Sequence, residues 1–370
     1  MFDKMTGVEN LISLAVGEPD ASTHPDIVAA GCRALKDGYT RYTPNAGYMT
    51  LREAISATFL PELAYKPDGE IIVTVGAMGA LSTLFHVLIS PGDEVIVPEP
   101  TWVNYYTLIS FPGGVPVPVR SSIDQGFKVT AQDIEAKITA KTKAILINNP
   151  SNPTGAVMTD EDLKEIAQLA VDKDLLVISD EIYGMLLFDG LQVKSLAQFP
   201  EMRERTVVIN GFSKAFNMTG WRVGFALGPE AIIRKMTILQ ENIISCVPAS
   251  SQMAAQYALS RLDTVQHTVD VYREKRDLVY DGLAKISGIR CIKPMGAFYI
   301  FPDISAVAND ATKFCYDLLA MESVACVPGD AFGESGKGHI RISYANSVEN
   351  LKESLARIQH FVSHYGIEEL

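Results

Sequence analysis

Two charged side chains, Lys214 and Asp180, each follow an apolar run of the kind that forms a buried β-strand. A lysine amine that is desolvated beside other cations has a lowered pKa and becomes a nucleophile toward carbonyl groups. A carboxylate at a buried strand end needs a cationic partner, and a protonated ring nitrogen would serve. Tyr183, three residues after Asp180, could donate to an oxygen on the same ring. Taken singly, such residues are usually solvated lysines or turn caps, so the prediction rests on their combination.

A second group of residues has the chemistry of an anion site. Gly76 and Ala77 open a predicted amphipathic helix, and the free N–H groups at a helix N-terminus attract phosphate. Ser213 and Arg222 could donate to the same anion, since the arginine fork matches phosphate oxygens. Gly76, Ala77 and Ser213 belong to two of four polar or glycine-rich phrases at the ends of predicted strands, which are 76–79, 148–155, 179–183 and 211–214. The carboxyl ends of strands in an open parallel sheet form a ligand crevice, so we expect the phrases to meet there.

The elements that would position these phrases follow from an alternation of short β-branched runs with helical patterns. This alternation predicts an α/β fold, in which a large domain has a mainly parallel seven-stranded sheet flanked by helices. The predicted strands are 71–75, 94–97, 115–119, 144–147, 175–179, 206–210 and 222–227, and the predicted helices between them include 77–89, 160–172 and 229–242.

After about residue 260 the pattern changes to that of a smaller α+β domain. It predicts a long helix at 263–285, strands at 289–293 and 297–301, and two more helices around a strand near 339–343. An early helix, Pro25–Lys36, would end at Gly38, and we expect the segment that holds it to pack with the small domain. The predicted division is 1–45 for the N-terminal segment, 46–265 for the large domain and 266–370 for the small C-terminal domain.

Composition and charge exclude several classes of function. The 370 residues carry a net charge of −12 with a pI near 5.0, which would repel nucleic acid and an anionic bilayer alike. Every apolar run is shorter than the roughly 18 residues of a membrane span, and the first residues lack the apolar core of a signal peptide. The five scattered cysteines form no Cys-x-x-Cys pair, and we expect them to be reduced. The expected location is therefore the cytoplasm.

Other ligand motifs are missing from the sequence. A Gly-x-Gly-x-x-Gly run for a dinucleotide does not occur. Residues 333–338 resemble a P-loop superficially, but Ala331 stands where its first glycine is required and no Ser or Thr follows Lys337. His360 and His364 lie one helical turn apart without an evident third ligand, so no metal site is predicted.

The stretch GFSKAFNMTGWRVG at 211–224 resembles, over its whole length, the pyridoxal-phosphate attachment signature of class I and II aminotransferases. The whole chain is similar to that fold-type I, aspartate aminotransferase-like family. Shorter matching phrases are VGEPD at 16–20, YTP at 42–44, GDEV at 92–95, PTW at 100–102, NPTG at 152–155, DEIY at 180–183, GAFY at 296–299 and RISY at 341–344. The long signature is specific, whereas the short phrases are informative through their shared order.

The resemblance implies an enzyme: a pyridoxal-phosphate-dependent transaminase that moves an amino group between an L-amino acid and a 2-oxo acid in two half-reactions. The implied catalytic residues are Lys214, Asp180 and Tyr183. Lys214 would hold the cofactor as a Schiff base and shuttle the substrate's proton, and Asp180 would keep the pyridine nitrogen protonated. The large domain would then be the cofactor-binding domain.

The resemblance also implies a set of cofactor-binding residues. They are Gly76, Ala77, Met78, Trp102, Asn152, Asp180, Tyr183, Ser213, Lys214, Arg222 and Tyr42. Tyr183 and Asn152 would bond the phenolic oxygen of the ring, and Trp102 would stack on the ring face. The phosphate would be held by Gly76, Ala77, Ser213 and Arg222.

Tyr42 is the one residue that the resemblance assigns across a subunit boundary. It would reach the phosphate of the neighbouring subunit, so a homodimer with shared active sites is expected. The implied substrate-binding residues are Gly17, Trp102, Asn152 and Arg341. Arg341 would clamp the α-carboxylate of a small-molecule substrate bidentately, and Gly17 would close over it.

At one position the chain departs from the pattern of a subgroup. Met78 stands where aspartate- and prephenate-preferring relatives often carry a lysine for the distal carboxylate. Its uncharged, adaptable side chain favours a larger apolar or aromatic amino acid. The donor, the acceptor and the pathway are not indicated by the sequence.

Two alternatives to a transaminase stay open at this point. A pyridoxal-phosphate lyase, such as a carbon–sulfur lyase, would use the same lysine, aspartate and arginine. A non-catalytic ligand-sensing domain would require an N-terminal pair of DNA-binding helices. About seventy residues precede the first predicted strand of the large sheet, which leaves little room for such a pair.

Overall fold

A computed structural model describes residues 2–365. Within them the chain forms twelve β-strands: β1 (Ile12–Ser13), β2 (Ile71–Thr74), β3 (Glu94–Glu99), β4 (Val115–Arg120), β5 (Thr142–Asn148), β6 (Leu176–Asp180), β7 (Thr206–Gly211), β8 (Gly224–Leu227), β9 (Tyr299–Ile300), β10 (Val324–Ala325), β11 (Val327–Pro328) and β12 (Ile340–Ser343).

The same residues form eleven α-helices: α1 (Pro25–Lys36), α2 (Met49–Thr58), α3 (Gly76–Leu88), α4 (Asn104–Ser110), α5 (Ala131–Glu135), α6 (Asp160–Asp172), α7 (Glu230–Ile244), α8 (Ala249–Ala258), α9 (Leu262–Leu283), α10 (Ala311–Glu322) and α11 (Val348–His364). No helix in the described part of the chain has both the length and the apolar character needed to cross a membrane.

Seven strands form one large sheet in the order β2-β8-β7-β6-β5-β3-β4. Neighbouring strands are parallel except at β8, which runs antiparallel to both β7 and β2. Parallel neighbours need a long crossover connection, usually a helix. Strand β8 needs no crossover, because residues 212–223 connect the end of β7 directly to the antiparallel strand beside it. The predicted seven-stranded, mainly parallel sheet is confirmed.

Alternate residues along the strands face two separate apolar layers. On β5, Ala144 and Leu146 pack with α3, α4 and α7, whereas Ile145 and Ile147 pack with α5 and α6 on the opposite face. Successive side chains of a strand point to opposite faces, and helices cover both faces of this sheet, so the strands are apolar almost throughout. The buried sheet is a rigid base from which the polar strand ends project.

The ends of two elements show how local chemistry sets their bounds. Helix α6 spans the predicted residues because Thr159 and Asp162 form a capping box at its start. Strand β8 begins at Gly224, later than predicted, because Arg222 has a left-handed backbone with φ 55°. An extended strand does not include that conformation. The chain therefore turns at Arg222, beside the candidate site, before it enters the sheet.

The second region contains a three-stranded antiparallel sheet, β11-β12-β9, and a two-stranded parallel sheet, β1-β10. The predicted strand at 289–293 is wrong, because in the described structure Arg290 forms a single bridge with Asp303. Pro294, which has no N–H to donate, follows soon after. Strand β1 joins the N-terminal segment to this region, while the domain division at residues 45 and 265 stays a prediction.

Candidate active site

One cavity lies at the carboxyl ends of β5, β6 and β7, against the start of α3. Its volume of about 610 Å³ suits a cofactor together with a small substrate. It brings together eleven of the residues predicted from the sequence: Gly17, Ala77, Met78, Trp102, Asn152, Asp180, Tyr183, Ser213, Lys214, Arg222 and Arg341. Gly76 lies directly behind Arg222, whereas Tyr42 lies outside the cavity and is 87% exposed.

Lys214 occupies the loop that follows β7, with its amine at the cavity wall. The Nζ atom donates a 2.6 Å hydrogen bond to the backbone oxygen of Gly17. Burial lowers the pKa of the Lys214 amine to about 8, against the opposing negative charge of Glu18. The positive charges of Arg341 and Arg222 lower that pKa further. A larger fraction of this amine is therefore neutral near pH 8 than for an exposed lysine, as a nucleophile requires.

Asp180 is the last residue of β6 and is 2% exposed. Its Oδ2 accepts a 2.7 Å hydrogen bond from the hydroxyl of Tyr105, and its Oδ1 accepts one of 3.1 Å from the N–H of Ile182. Burial raises the pKa of Asp180 to about 6, although these two bonds and the charge of Lys214 oppose the shift. A cation placed in the cavity beside Asp180 would favour the ionised carboxylate.

The start of α3 forms the anion side of the cavity. Gly76 has φ +68°, and a Cβ at that position would lie 2.6 Å from Nη2 of Arg222. Glycine therefore lets the guanidinium lie against the helix start. Ser213, Ala77 and Met78 line the same cavity, and the first N–H groups of a helix have no intrahelical acceptor. This set of donors fits a phosphate group.

Arg341, on β12, is 7% exposed and lies at the cavity wall. It donates from Nη1 to Oδ1 of Asn152 at 3.0 Å and from Nη2 to the backbone oxygen of Ala15 at 2.6 Å. Its guanidinium carbon lies 4.6 Å from the ring centre of Tyr299 and 5.0 Å from that of Phe332. Within the described residues its buried Nε atom has no hydrogen-bond partner. A buried donor without a partner is costly, so a carboxylate ligand would stabilise this arrangement.

Aromatic residues close the cavity around these charged groups. The hydroxyls of Tyr183 and Tyr299 are 2.9 Å apart and hydrogen-bonded. Burial raises the pKa of Tyr183 well above its usual value, so the phenol stays protonated and can donate. Trp102 lies at the cavity wall with its ring 5.3 Å from Tyr105 in an edge-to-face contact.

The cavity lining also includes residues that the sequence did not predict, among them four with polar groups near the catalytic residues: Glu18, Tyr105, Asn148 and Tyr299. Asn148 accepts from the N–H of Asn152 at 2.9 Å and donates to the backbone oxygen of Asp180 at 3.1 Å. Three of the four lie inside phrases that had already been singled out, but no role was assigned to them there. Tyr105 lies on α4, just beyond the phrase at 100–102, and no local feature of the sequence indicates it.

Comparison with known proteins identifies the family. The profile described as "Aminotransferase class I and II" matches residues 9–358. The chain belongs to the class I and II aminotransferases. It is 47% identical to the putative aminotransferase YugH of Bacillus subtilis (strain 168), over 98% of this chain and 94% of that protein. It is 42% identical to an aspartate aminotransferase of Bacillus sp. (strain YM-2), over 97% and 93% of the two chains.

Solved structures of aminotransferases have the same fold. The crystal structure of an aromatic aminotransferase from Pyrococcus horikoshii OT3 matches with a TM-score of 0.93 at 38% identity, over 98% of each chain. The protein is therefore an aminotransferase of fold type I, an enzyme of amino-group transfer that uses pyridoxal phosphate. The family favours this activity over the lyase and sensing alternatives.

The cavity of this aminotransferase fits pyridoxal phosphate. The helix start and Arg222 match its phosphate, Asp180 matches a protonated ring nitrogen, and the amine of Lys214 matches its aldehyde. When bound, the cofactor's ring accepts the electron pair that remains when the α-C–H bond of the substrate breaks. The protein contributes orientation and charge around that ring.

Proposed function

We propose that this aminotransferase acts on large apolar L-amino acids, including aromatic ones, and on the corresponding 2-oxo acids. The observation that carries the proposal is the distribution of charge in the cavity. Among the described residues that line it, the cations are Lys214, Arg222 and Arg341, and each is needed for the amine, phosphate or α-carboxylate. A substrate whose side chain carries a second carboxylate has no further cation to pair with among these residues, and Glu18 would repel that carboxylate.

Apolar side chains form much of the remaining lining. They include Met78, Leu81, Val103, Val327 and Phe332. Burying an apolar substrate side chain among them is favourable by about 25 cal/mol per Å² of apolar area. The aromatic aminotransferase among the solved structures is consistent with this substrate class, although an aspartate aminotransferase is also a close relative.

The roles of the site residues belong to the same proposal. Lys214 would hold the cofactor through its aldehyde carbon, whose oxygen leaves as water, and once the substrate's amino group has displaced it, the freed Nζ would accept the substrate's α-proton. Asp180 would keep the ring nitrogen protonated, Tyr183 and Asn152 would hold the phenolic oxygen of the ring, and Trp102 would pack on the ring. Supporting observations are the lowered pKa of Lys214 and the buried, hydrogen-bonded carboxylate of Asp180.

Two anion sites would bind the cofactor's phosphate and the substrate's α-carboxylate. The phosphate side comprises Gly76, Ala77, Met78, Ser213 and Arg222. On the opposite side Arg341 binds the substrate carboxylate, with the segment at Gly17 closing over it. The two sites lie in one cavity and therefore fix both the cofactor and the α-carbon relative to Lys214.

We also propose a homodimer with shared active sites. Tyr42 lies outside its own cavity and is almost fully exposed, as a residue that reaches a neighbouring subunit requires. Ile238 and Ile243 on α7 are exposed as well, and burial of such side chains favours association. Sedimentation of the active enzyme as a dimer supports this assembly, and an active monomer would contradict it.

Apart from the second subunit, the proposed partners are a small-molecule L-amino acid and a 2-oxo acid, without nucleic acid or membrane, and the proposed location is the cytoplasm. The net charge of −12 disfavours nucleic acid. All five cysteines are free thiols, which suits a reducing compartment.

A panel of L-amino acids tests the substrate proposal. Each is added to stoichiometric enzyme, the conversion of the cofactor to its amino form is followed by absorbance, and the oxo-acid product is identified. We expect phenylalanine, tyrosine and leucine to convert the cofactor with a larger second-order rate constant than aspartate and glutamate. A preference for aspartate would contradict the proposed substrate class while leaving amino transfer intact.

A further inference from the structure

Glu99 is a buried acidic residue outside the cavity lining. It is the last residue of β3 and is 5% exposed. Its Oε1 accepts a hydrogen bond from the hydroxyl of Tyr106, which lies on α4. Its Oε2 accepts a longer one, of 3.4 Å, from the N–H of Ser335. The carboxylate therefore connects β3 and α4 to residues 329–336, which we call the wall segment.

The wall segment forms one side of the active-site cavity. Ala331 and Phe332 line that cavity, and the ring of Phe332 lies 5.0 Å from the guanidinium of Arg341. The segment has a second attachment to the end of β3, because the N–H of Thr101 donates to the backbone oxygen of Phe332 at 3.0 Å. The position of the cavity wall thus depends on contacts made at the end of β3.

Gly333 shows how closely the wall segment approaches Glu99. This residue has φ +101°, which side-chain-bearing residues rarely adopt, and a Cβ there would overlap the Glu99 carboxylate. The carboxylate lies directly against the backbone of the segment. Displacing the carboxylate would therefore displace residues 333–335, and with them the adjoining Phe332.

We propose that Glu99 is a positioning residue that sets side-chain selectivity. Its carboxylate holds the wall segment against β3, which positions Phe332 and fixes the width of the apolar part of the cavity. Tyr106 holds the other carboxylate oxygen and so orients the side chain. Glu99 does not touch the reacting atoms; it acts through Phe332. The expectation that KM rises most for large apolar substrates rests on the proposed function.

The test compares Glu99→Gln and Tyr106→Phe with wild-type holoenzyme. KM and kcat are measured for phenylalanine, leucine, alanine and aspartate. We expect KM for phenylalanine to rise roughly fivefold to tenfold in Glu99→Gln, with kcat within about twofold of wild type, because binding is lost equally in the ground and transition states. KM for alanine, which does not reach the wall, should change less.

Matched variants separate positioning from general damage. Glu94→Gln alters the glutamate at the other end of β3, whose carboxylate accepts from the hydroxyl of Thr139 at 2.6 Å, and should leave KM unchanged. Tyr106→Phe removes one hydroxyl and carries the test if Glu99→Gln does not fold. Gly333→Ala should raise KM for phenylalanine as Glu99→Gln does. The variant that combines both changes should have a KM no higher than the more severe single variant, because both changes disturb the same contact between Glu99 and Gly333.

The outcomes distinguish this inference from the substrate proposal. Wild-type selectivity among the four donors tests the substrate class, whereas the ratio of variant to wild-type KM tests Glu99. A selective rise in KM for the largest donors, with kcat retained and non-additive effects at residue 333, supports the positioning role. Unchanged KM values, or an equal loss of kcat for every donor, would overturn it.

Discussion

The hydroxyl of Tyr105 donates a 2.7 Å hydrogen bond to Oδ2 of Asp180, which joins the first turn of α4 to the end of β6. Both partners are almost completely buried. The bond fixes the carboxylate plane while the N–H of Ile182 holds the other oxygen. A carboxylate held at both oxygens keeps one orientation toward the ring nitrogen that we propose it faces.

Tyr105→Phe should weaken catalysis while leaving the fold intact. It removes the hydroxyl that stabilises ionised Asp180, and a lost hydrogen bond to a charged group costs about 1.5–3 kcal/mol, so kcat should fall roughly tenfold or more. Steady-state kinetics over a pH series measure this, and the acid limb should move to higher pH. Tyr365→Phe is the matched control, since Tyr365 donates to Asp317 at 3.1 Å far from the cavity. Equal kinetics in wild type and Tyr105→Phe would refute the role.

Asp180 should also make the stability of the cofactor-free protein depend on pH. Burial raises the pKa of Asp180 to about 6 from 3.8, so the folded protein binds this proton more tightly than the unfolded chain does. The free energy of unfolding therefore falls as pH rises from about 4 to about 6, and the penalty is constant above that range.

Asp180→Asn removes this dependence. Relative to wild type, the variant should gain about 2 kcal/mol in the free energy of unfolding between about pH 4.5 and about pH 7.5. Urea unfolding of the two cofactor-free proteins at several pH values measures the difference. A difference that does not change with pH would show that Asp180 titrates normally.

Arg341→Lys should raise KM for amino-acid substrates by roughly tenfold to a hundredfold, because an ammonium cannot reproduce the two-pronged bond of a guanidinium to a carboxylate. The cofactor absorbance should persist, since Arg341 lies on the substrate side of the cavity. Arg290→Lys, at an exposed arginine that pairs with Asp124, is the control. Normal KM values in Arg341→Lys would place the carboxylate site elsewhere.

Met78→Lys should change the preference among substrate side chains. It supplies a cation at the cavity wall, so the ratio of kcat/KM for aspartate to that for phenylalanine should rise by about tenfold or more. Met78→Leu, which keeps the apolar character and size, should leave the ratio near wild type. An unchanged ratio of kcat/KM for aspartate to that for phenylalanine in cofactor-bound Met78→Lys would show that residue 78 does not set this preference.

Local patterns were sufficient to predict most of the fold. On β5 the residues that alternate between the two faces are all apolar, which indicates a strand covered on both sides. The capping box at Thr159 sets the start of α6 from neighbouring residues alone. The strand predicted at 289–293 is wrong because strand pairing depends on a partner elsewhere in the fold. In the described structure only Arg290 of this stretch pairs, in a single bridge with Asp303.

The candidate site could be predicted where polar residues follow buried strands. Lys214 and Asp180 meet because their strands, β7 and β6, are neighbours in the sheet. Tyr105 was missed because its partner is 75 residues away and nothing local distinguishes a buried tyrosine that donates to a carboxylate from one that only packs. The role of Glu99 could not be predicted for the same reason, since its contact with Gly333 is made only in the folded chain.

The central claim is that Lys214 is the residue that bonds the cofactor. Borohydride reduction of the wild-type holoenzyme, followed by proteolysis and mass spectrometry, locates the linkage. Lys275 is an internal control, because it is also buried but pairs with Asp20 at 2.6 Å. We expect one pyridoxyl group per chain, on Lys214, with Lys275 unmodified. A pyridoxyl group on another lysine, with Lys214 unmodified, would contradict it.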